Sequence, residues 1–166
     1  MRRTCISVVI LILILVPISL AKTNQDDVNA PQKLIKSVAF LEQKPLDNKA
    51  KDVRSWALKW IIETDKVSVT ACSLLSSGVE PNYQYSGEIV GQYTIGMAAF
   101  KLAYPAKAKD EDGAQLFGVE SALTAYASII RTHPQSKSAF LDDLINKRSQ
   151  GDFAKYVADH NCRGNH

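Results

Sequence analysis

The chain has few of the features that mark a catalytic or nucleic-acid-binding protein. Its 166 residues include three cysteines and three histidines, and they contain no glycine-rich phosphate loop, nucleophile elbow, His-Glu-x-x-His zinc motif or calcium-binding loop. Basic residues do not form a stripe interleaved with aromatic ones, which argues against nucleic acid as a partner. These absences favour a protein that binds a partner or small ligand without catalysis and without a cofactor.

The one long apolar run lies at the N-terminus. Arg2 and Arg3 precede an apolar stretch from Ile6 to Leu20, and Ala21 supplies the small residue that a signal peptidase requires. A helix needs roughly 20 apolar residues to cross the hydrocarbon of a bilayer, and this stretch is shorter. We therefore predict that residues 1–21 are a cleaved secretory signal, with an uncleaved anchor as the alternative. The mature protein would then be secreted or periplasmic, without a stable membrane span.

The mature chain has the length of a single domain. The 20 basic and 17 acidic residues nearly balance once Arg2 and Arg3 leave with the signal, so the mature net charge is about +1. Residues 22–31 are polar and lack periodicity, which predicts a flexible leader. Residues 32–166 are predicted to be one helical domain that ends in a short mobile tail.

Apolar residues recur at helical spacing along most of this domain. The spacing predicts helices over residues 32–43, 47–64, 86–103, 138–148 and 151–160, with a further long helix within 110–134. Segment 66–77 is ambiguous because Val67 and Val69 alternate like a strand, but a lone strand has nothing to pair with, so a helix is favoured. The result is an all-α fold of about six helices, in an antiparallel bundle or a short stack of helical hairpins.

Small residues line one face of each of the two longest predicted helices, with Gly91 on the first and Gly118 on the second. A glycine inside a helix costs about 1 kcal/mol relative to alanine. We expect this cost to be offset by a close approach of the two helix backbones.

The stretch SALTAYASIIRTHP resembles the second helix of a tetratricopeptide-type repeat. Ala122, Tyr126 and Pro134 have the spacing of that family, whereas Ile129 stands where the family usually has alanine. The resemblance ends there, and no second copy follows at the repeat period of about 34 residues. It supports antiparallel helix pairs rather than membership of the family, and it implies a protein-binding groove rather than an enzyme.

Two cysteines, Cys72 and Cys162, remain after Cys5 is lost with the signal. An exported protein with two cysteines most often joins them, and we predict this disulfide. The bridge would close a loop of 90 residues, which the chain-entropy description values at about 4.5 kcal/mol. Inert free thiols, a cysteine nucleophile and a metal ligand are the alternatives.

Two further functions remain open at this stage. A small hydrolase or transferase could use an inter-helix carboxylate, Glu88 or Glu120, together with His133. An envelope metal-binding protein could use the C-terminal tail, in which His160, Cys162 and His166 lie within seven residues.

Four aromatic residues are the candidates for a binding surface. Trp56 and Trp60 share one face of a predicted helix, where core packing is the alternative. Tyr83 and Tyr85 lie in a predicted loop, in which partly exposed rings would suit a binding protein, and packing over the helix ends is the alternative.

Overall fold

The computed structural model describes residues 25–160 and 162, which form helices and no strands. The α-helices are α1 (Gln25–Gln43), α2 (Ala50–Glu63), α3 (Ser73–Gly78), α4 (Ser86–Ala103), α5 (Glu111–Thr132), α6 (Ala139–Ser149) and α7 (Phe153–Asp159), and a 3-10 turn spans Pro105–Lys107. The all-α fold is therefore confirmed. Within the described residues, no helix is long and apolar enough to cross a membrane. The predicted signal segment lies outside these residues.

Helices α4 and α5 form the centre of the molecule, and two glycines bring their backbones together. A Cβ atom built on Gly118 would lie 2.8 Å from the carbonyl oxygen of Tyr93, and one built on Gly96 would lie 3.1 Å from the Cα of Gly118. Real Cβ atoms essentially never come as close as the first distance, and the second is tighter than most real Cβ contacts. The predicted close approach is confirmed at Gly118, whereas a Cβ on Gly91 would meet the side chain of Arg54 instead.

The core is divided between the two sides of this central pair. Helices α3, α6 and α7 pack on one side, where the largest fully buried side chains include Tyr93, Leu123, Tyr126 and Leu144. Helices α1 and α2 pack on the other, around Leu34, Leu41, Ala57 and Ile95. Helices α1 and α2 lie on one side of the α4–α5 pair, and the seam between α1 and α2 faces solvent.

Helix α1 begins at Gln25, so its predicted start at residue 32 is wrong and residues 25–31 of the predicted leader belong to the helix. Pro31 lies inside the helix, and a proline there normally ends a helix because it lacks a backbone N–H donor. Ala30 is nevertheless as buried as Leu34, four residues later. The buried face of α1 that contains Leu34 thus continues to the N-terminal side of Pro31.

Segment 66–77 differs from its prediction in its first half. Residues 67–72 form neither a helix nor a paired strand, and helix α3 begins only at Ser73. Side chains of the central helices hold this stretch, since Lys101 Nζ donates to the Ser68 carbonyl (2.9 Å) and Gln115 Nε2 to the Thr70 carbonyl (2.8 Å). The predicted helix is wrong for residues 66–72 because these long-range bonds replace local helical ones.

A disulfide joins Cys72 to Cys162, as predicted, with an Sγ–Sγ distance of 2.04 Å. The bridge follows helix α7, whose Phe153 and Val157 are buried in the core. Helix α7 begins at Phe153 rather than at residue 151, because Gly151 takes a positive φ of 94° that turns the chain between α6 and α7. Both sulfurs are bonded, so neither cysteine offers a thiolate as nucleophile or metal ligand.

Candidate functional site

A solvent-facing groove of about 440 Å³ runs along the seam between α1 and α2, and we call it the α1–α2 groove. Its lining residues are Asn29, Gln32, Lys33, Lys36, Ser37, Phe40 and Val53. Six of the seven come from α1, where they recur every three or four residues and so occupy one face of the helix. The opposite face of α1 carries Leu34, Val38 and Leu41 into the core.

Among the described residues, the charged side chains that line this groove are Lys33 and Lys36, and no carboxylate is among them. The Nζ atom of Lys33 lies 3.9 Å from the centroid of the Trp56 ring, in the geometry of a cation–π contact. Phe40 and Val53 supply apolar surface in the same groove. The groove therefore combines an apolar floor with two cations, one of them held in place by an indole ring.

The polar groups described in the groove are a hydroxyl, two amides and two ammonium groups. Its one hydroxyl, on Ser37, donates to the Lys33 carbonyl at 2.8 Å, four residues earlier in the same helix. The part of the lining that the structure describes includes neither a histidine nor a carboxylate. Its amides, cations and apolar side chains suit recognition of a ligand.

The two tryptophans are half-buried between the helices and the solvent. Trp56 supports Lys33 at the edge of the α1–α2 groove. Trp60 lines a separate depression with Glu63 and Asp65, and its buried Nε1 donor has no partner among the described residues. The structure thus brings Trp56, but not Trp60, to the candidate site.

The loop tyrosines are not among the residues that line the α1–α2 groove. The Tyr83 ring is only 9 % exposed, and its hydroxyl donates to the Ser136 carbonyl at 3.0 Å, so the expected exposed ring is wrong for this residue. Burial raises the pKa of Tyr83 above its ordinary value. Tyr85 is half-buried, with its ring edge-on to His133 at 5.9 Å between ring centroids. The hydrogen bond from Tyr83 joins two loops, and packing over the helix ends determines where its ring lies.

The carboxylates proposed for a hydrolytic site are occupied elsewhere. Glu120 pairs with Arg148 at 3.0 Å. Glu88 lies 3.6 Å from Arg54, whose pKa is lowered by burial and partly restored by this carboxylate. Neither contacts His133 among the described interactions.

His133 does share a groove of about 310 Å³ with a different carboxylate, that of Asp47. The Asp47 carboxylate accepts the backbone N–H of Lys49 at 2.9 Å, which is a local turn contact. Thr132 Oγ1 lies 2.9 Å from His133 Nδ1. Within residues 25–160, the contacts of this histidine do not include a hydrogen bond to a carboxylate.

Sequence reasoning missed the carboxylate that lies between helices, which is Glu42 at the end of α1. Ser121 Oγ donates to Glu42 Oε1 at 2.6 Å, and Gln92 Nε2 donates to Ser121 Oγ at 2.7 Å. Burial raises the pKa of the Glu42 carboxyl, and the bond from Ser121 partly offsets the rise. Glu42 follows Leu34 and Val38 on the buried stripe of α1, and that continuation of the stripe was the available signal.

The histidines of the C-terminal tail are not gathered into a site in the described structure. His160 is exposed, stacks on the Tyr156 ring with 4.1 Å between centroids, and contacts the Tyr156 carbonyl through Nδ1 at 2.7 Å. His166 lies outside the described residues. Among those residues, no group of three His, Cys, Asp or Glu side chains is placed to hold a metal ion.

We compared the chain with protein-family models, with curated protein sequences and with solved structures, and none of the three comparisons gives a match. The class of protein is therefore defined by its own architecture, an all-α domain with one disulfide.

Proposed function

We propose that this is an exported, non-catalytic binding protein whose α1–α2 groove takes an acidic segment of another protein. The observation that carries the proposal is the composition of the groove, in which the described lining residues combine Lys33 and Lys36 with the apolar side chains of Phe40 and Val53 and include no carboxylate. A segment with glutamates or aspartates beside a few apolar residues is complementary to that surface.

The support of Lys33 by Trp56 favours binding over simple solvation of the lysine. An exposed lysine loses side-chain entropy when it forms an ion pair, and this loss cancels much of the gain. The contact at 3.9 Å between the Lys33 ammonium and the indole ring restricts the lysine before a partner arrives. A cation positioned in advance loses less freedom on binding.

Export is supported by the sequence of residues 1–21 and by the use of both mature cysteines in one disulfide. Disulfides persist in oxidising compartments such as the periplasm or the cell exterior. N-terminal sequencing of the protein recovered from medium or periplasm should begin at Lys22. Recovery in the cytoplasm with Met1 in place would overturn this part of the proposal.

The groove is tested with a synthetic peptide of the proposed chemistry. The probe is a fluorescein-labelled peptide of about 15 residues, long enough to form a helix, with glutamates on one face and leucines on the other. We expect its fluorescence anisotropy to rise with added mature protein. A peptide with lysine in place of each glutamate should show no such rise.

Matched variants locate the binding. Lys33→Gln with Lys36→Gln should weaken the acidic peptide about tenfold, from two partly exposed ion pairs of up to about 1 kcal/mol each. Lys51→Gln with Lys107→Gln removes the same net charge outside the groove and should have little effect, and Lys33→Arg with Lys36→Arg should retain binding. Equal weakening by both glutamine pairs would mean that net charge rather than the groove attracts the peptide.

A further inference from the structure

The Cys72–Cys162 bridge, whose residues do not line the α1–α2 groove, has two unlike halves. Cys72 is only 3 % exposed, and its backbone N–H donates to the hydroxyl of the buried Tyr93 at 3.2 Å. Cys162 is half-buried, so part of this residue meets solvent. Access determines which sulfur of a disulfide a thiol attacks. A thiol that arrives from solvent therefore meets Cys162 first.

Polar groups enclose the sulfur of Cys72. Gln115 Nε2 and the backbone N–H of Cys162 each donate to Cys72 Sγ at 3.0 Å. The carbonyl oxygen of Thr70 lies 3.7 Å from this sulfur, but it already accepts the other N–H of the Gln115 amide at 2.8 Å. N–H donors stabilise a sulfur that gains negative charge. Cys72 is thus the sulfur better suited to leave as a thiolate.

The other end of the Gln115 amide fixes its orientation. The Tyr93 hydroxyl donates to Gln115 Oε1, so Nε2 faces the sulfur and the Thr70 carbonyl. Tyr93 is fully buried and Gln115 is 3 % exposed. The donor is therefore in place before any charge develops on the sulfur, and donors positioned in advance are the ones that stabilise developing charge best.

We propose that Cys162 is the site at which a small thiol of the glutathione class forms a reversible mixed disulfide with this protein. The thiolate of the small molecule attacks Cys162 Sγ, the Sγ–Sγ bond breaks, and Cys72 leaves with the electron pair as a thiolate. One disulfide replaces another, so the step consumes neither an oxidant nor a reductant. A half-buried residue favours a small thiol over the cysteine of a folded protein, which would have to bring its own surface into contact.

The opened bridge can close again. Helix α7 keeps Phe153 and Val157 in the core, and the segment before Cys72 keeps its bond from Gln115. Both sulfurs therefore stay close in the mixed disulfide, where an intramolecular attack has a high effective concentration. The Cys72 thiolate attacks Cys162 Sγ and expels the small thiol. The adduct thus accumulates only while the small thiol is in excess.

The test treats the oxidised mature protein with excess reduced glutathione, without denaturant. Acid stops the exchange at early times, N-ethylmaleimide labels the free thiols in denaturant, and peptide mass mapping locates both groups. We expect glutathione on Cys162 to exceed that on Cys72 about tenfold, with the maleimide on Cys72. Equal amounts on both cysteines, or a folded protein that forms no adduct, would overturn the proposal. A rate that rises with urea in parallel with the unfolded fraction would overturn it too, because the exchange would then need the unfolded chain.

Two variants test the assignment of the leaving sulfur. Gln115→Met has a side chain of similar length that cannot donate, and it should slow the opening about tenfold, since hydrogen bonds to charged groups are the strong ones. Gln92→Met is the matched control, because Gln92 is a similarly buried amide whose Nε2 donates to Val38 and Ser121 rather than to sulfur. The control should not slow the opening. Loss of a purely structural amide loosens the fold and accelerates the exchange, so an unchanged or faster rate in Gln115→Met would overturn Cys72 as the leaving sulfur.

Discussion

Replacement of Gly118 by alanine tests the packing of the two central helices. Alanine should gain about 1 kcal/mol of helix propensity over glycine. Against this, its Cβ would lie 2.7 Å from the Cγ of Met97 and 2.8 Å from the Tyr93 carbonyl oxygen. Overpacking of a core costs about 1–3 kcal/mol, and the upper end applies because a helix backbone cannot move aside as a side chain can. We expect Gly118→Ala to lower the free energy of unfolding by about 2 kcal/mol.

The assay is urea unfolding of the oxidised protein, followed by far-ultraviolet circular dichroism. With a slope of about 2 kcal/mol per molar urea, the midpoint for Gly118→Ala should fall by about 1 M. Gly87→Ala is the matched control in α4, because no atom lies within 4 Å of a Cβ built there. This control should be stabilised by about 0.5 kcal/mol. If Gly118→Ala were as stable as Gly87→Ala, the inferred close contact of α4 with α5 would be incorrect.

Three further predictions concern single groups. Glu42→Gln should raise the free energy of unfolding at neutral pH, because burial raises the folded-state pKa of Glu42 and so penalises its charged form. In urea titrations at several pH values, this gain should vanish below about pH 4.5, where the parent carboxyl is protonated in both states. Substitution of Glu80 should have the opposite effect on stability, since the pKa of Glu80 is lowered, chiefly by the hydrogen bond from Ser138 Oγ at 2.6 Å. Glu80→Gln should therefore cost about 1 kcal/mol above pH 4.5, with the loss shrinking as acid protonates the parent, and an equal loss at all pH values would contradict this. Finally, Cys72→Ser with Cys162→Ser should lower the free energy of unfolding by up to about 4.5 kcal/mol. A urea midpoint equal to that of the oxidised parent would show that the bridge does not stabilise the fold.

The features that follow from local pattern were predictable from the sequence. Helices α4 and α5 are rich in apolar residues and lie at or within two residues of their predicted bounds, and the pairing of Cys72 with Cys162 follows from the count of cysteines in a chain that is predicted to be exported. The close approach at Gly118 was also predictable, since a costly glycine in a helix interior requires a compensating contact.

Features that depend on distant partners were missed. The path of residues 67–72 is set by Lys101 and Gln115, more than 30 residues away in the chain. Burial of the Tyr83 ring depends on the loop at Ser136. The α1–α2 groove joins side chains of two helices whose relative placement no periodicity encodes. Of the residues at this groove, only Trp56, at its edge, was among the predicted binding residues.

The position of the disulfide also divides the chain mechanically. Helices α1 and α2 precede Cys72, whereas α3 to α7 lie within the loop of 90 residues that the bridge closes. A force applied between the chain ends can therefore peel away the first two helices, but it bypasses the looped portion, which carries no tension. At roughly 3.5 Å per extended residue, about 300 Å of contour length stays hidden until a reductant cuts the bond. The protein thus consists of an extensible N-terminal portion and a remainder that a pulling force alone cannot unravel.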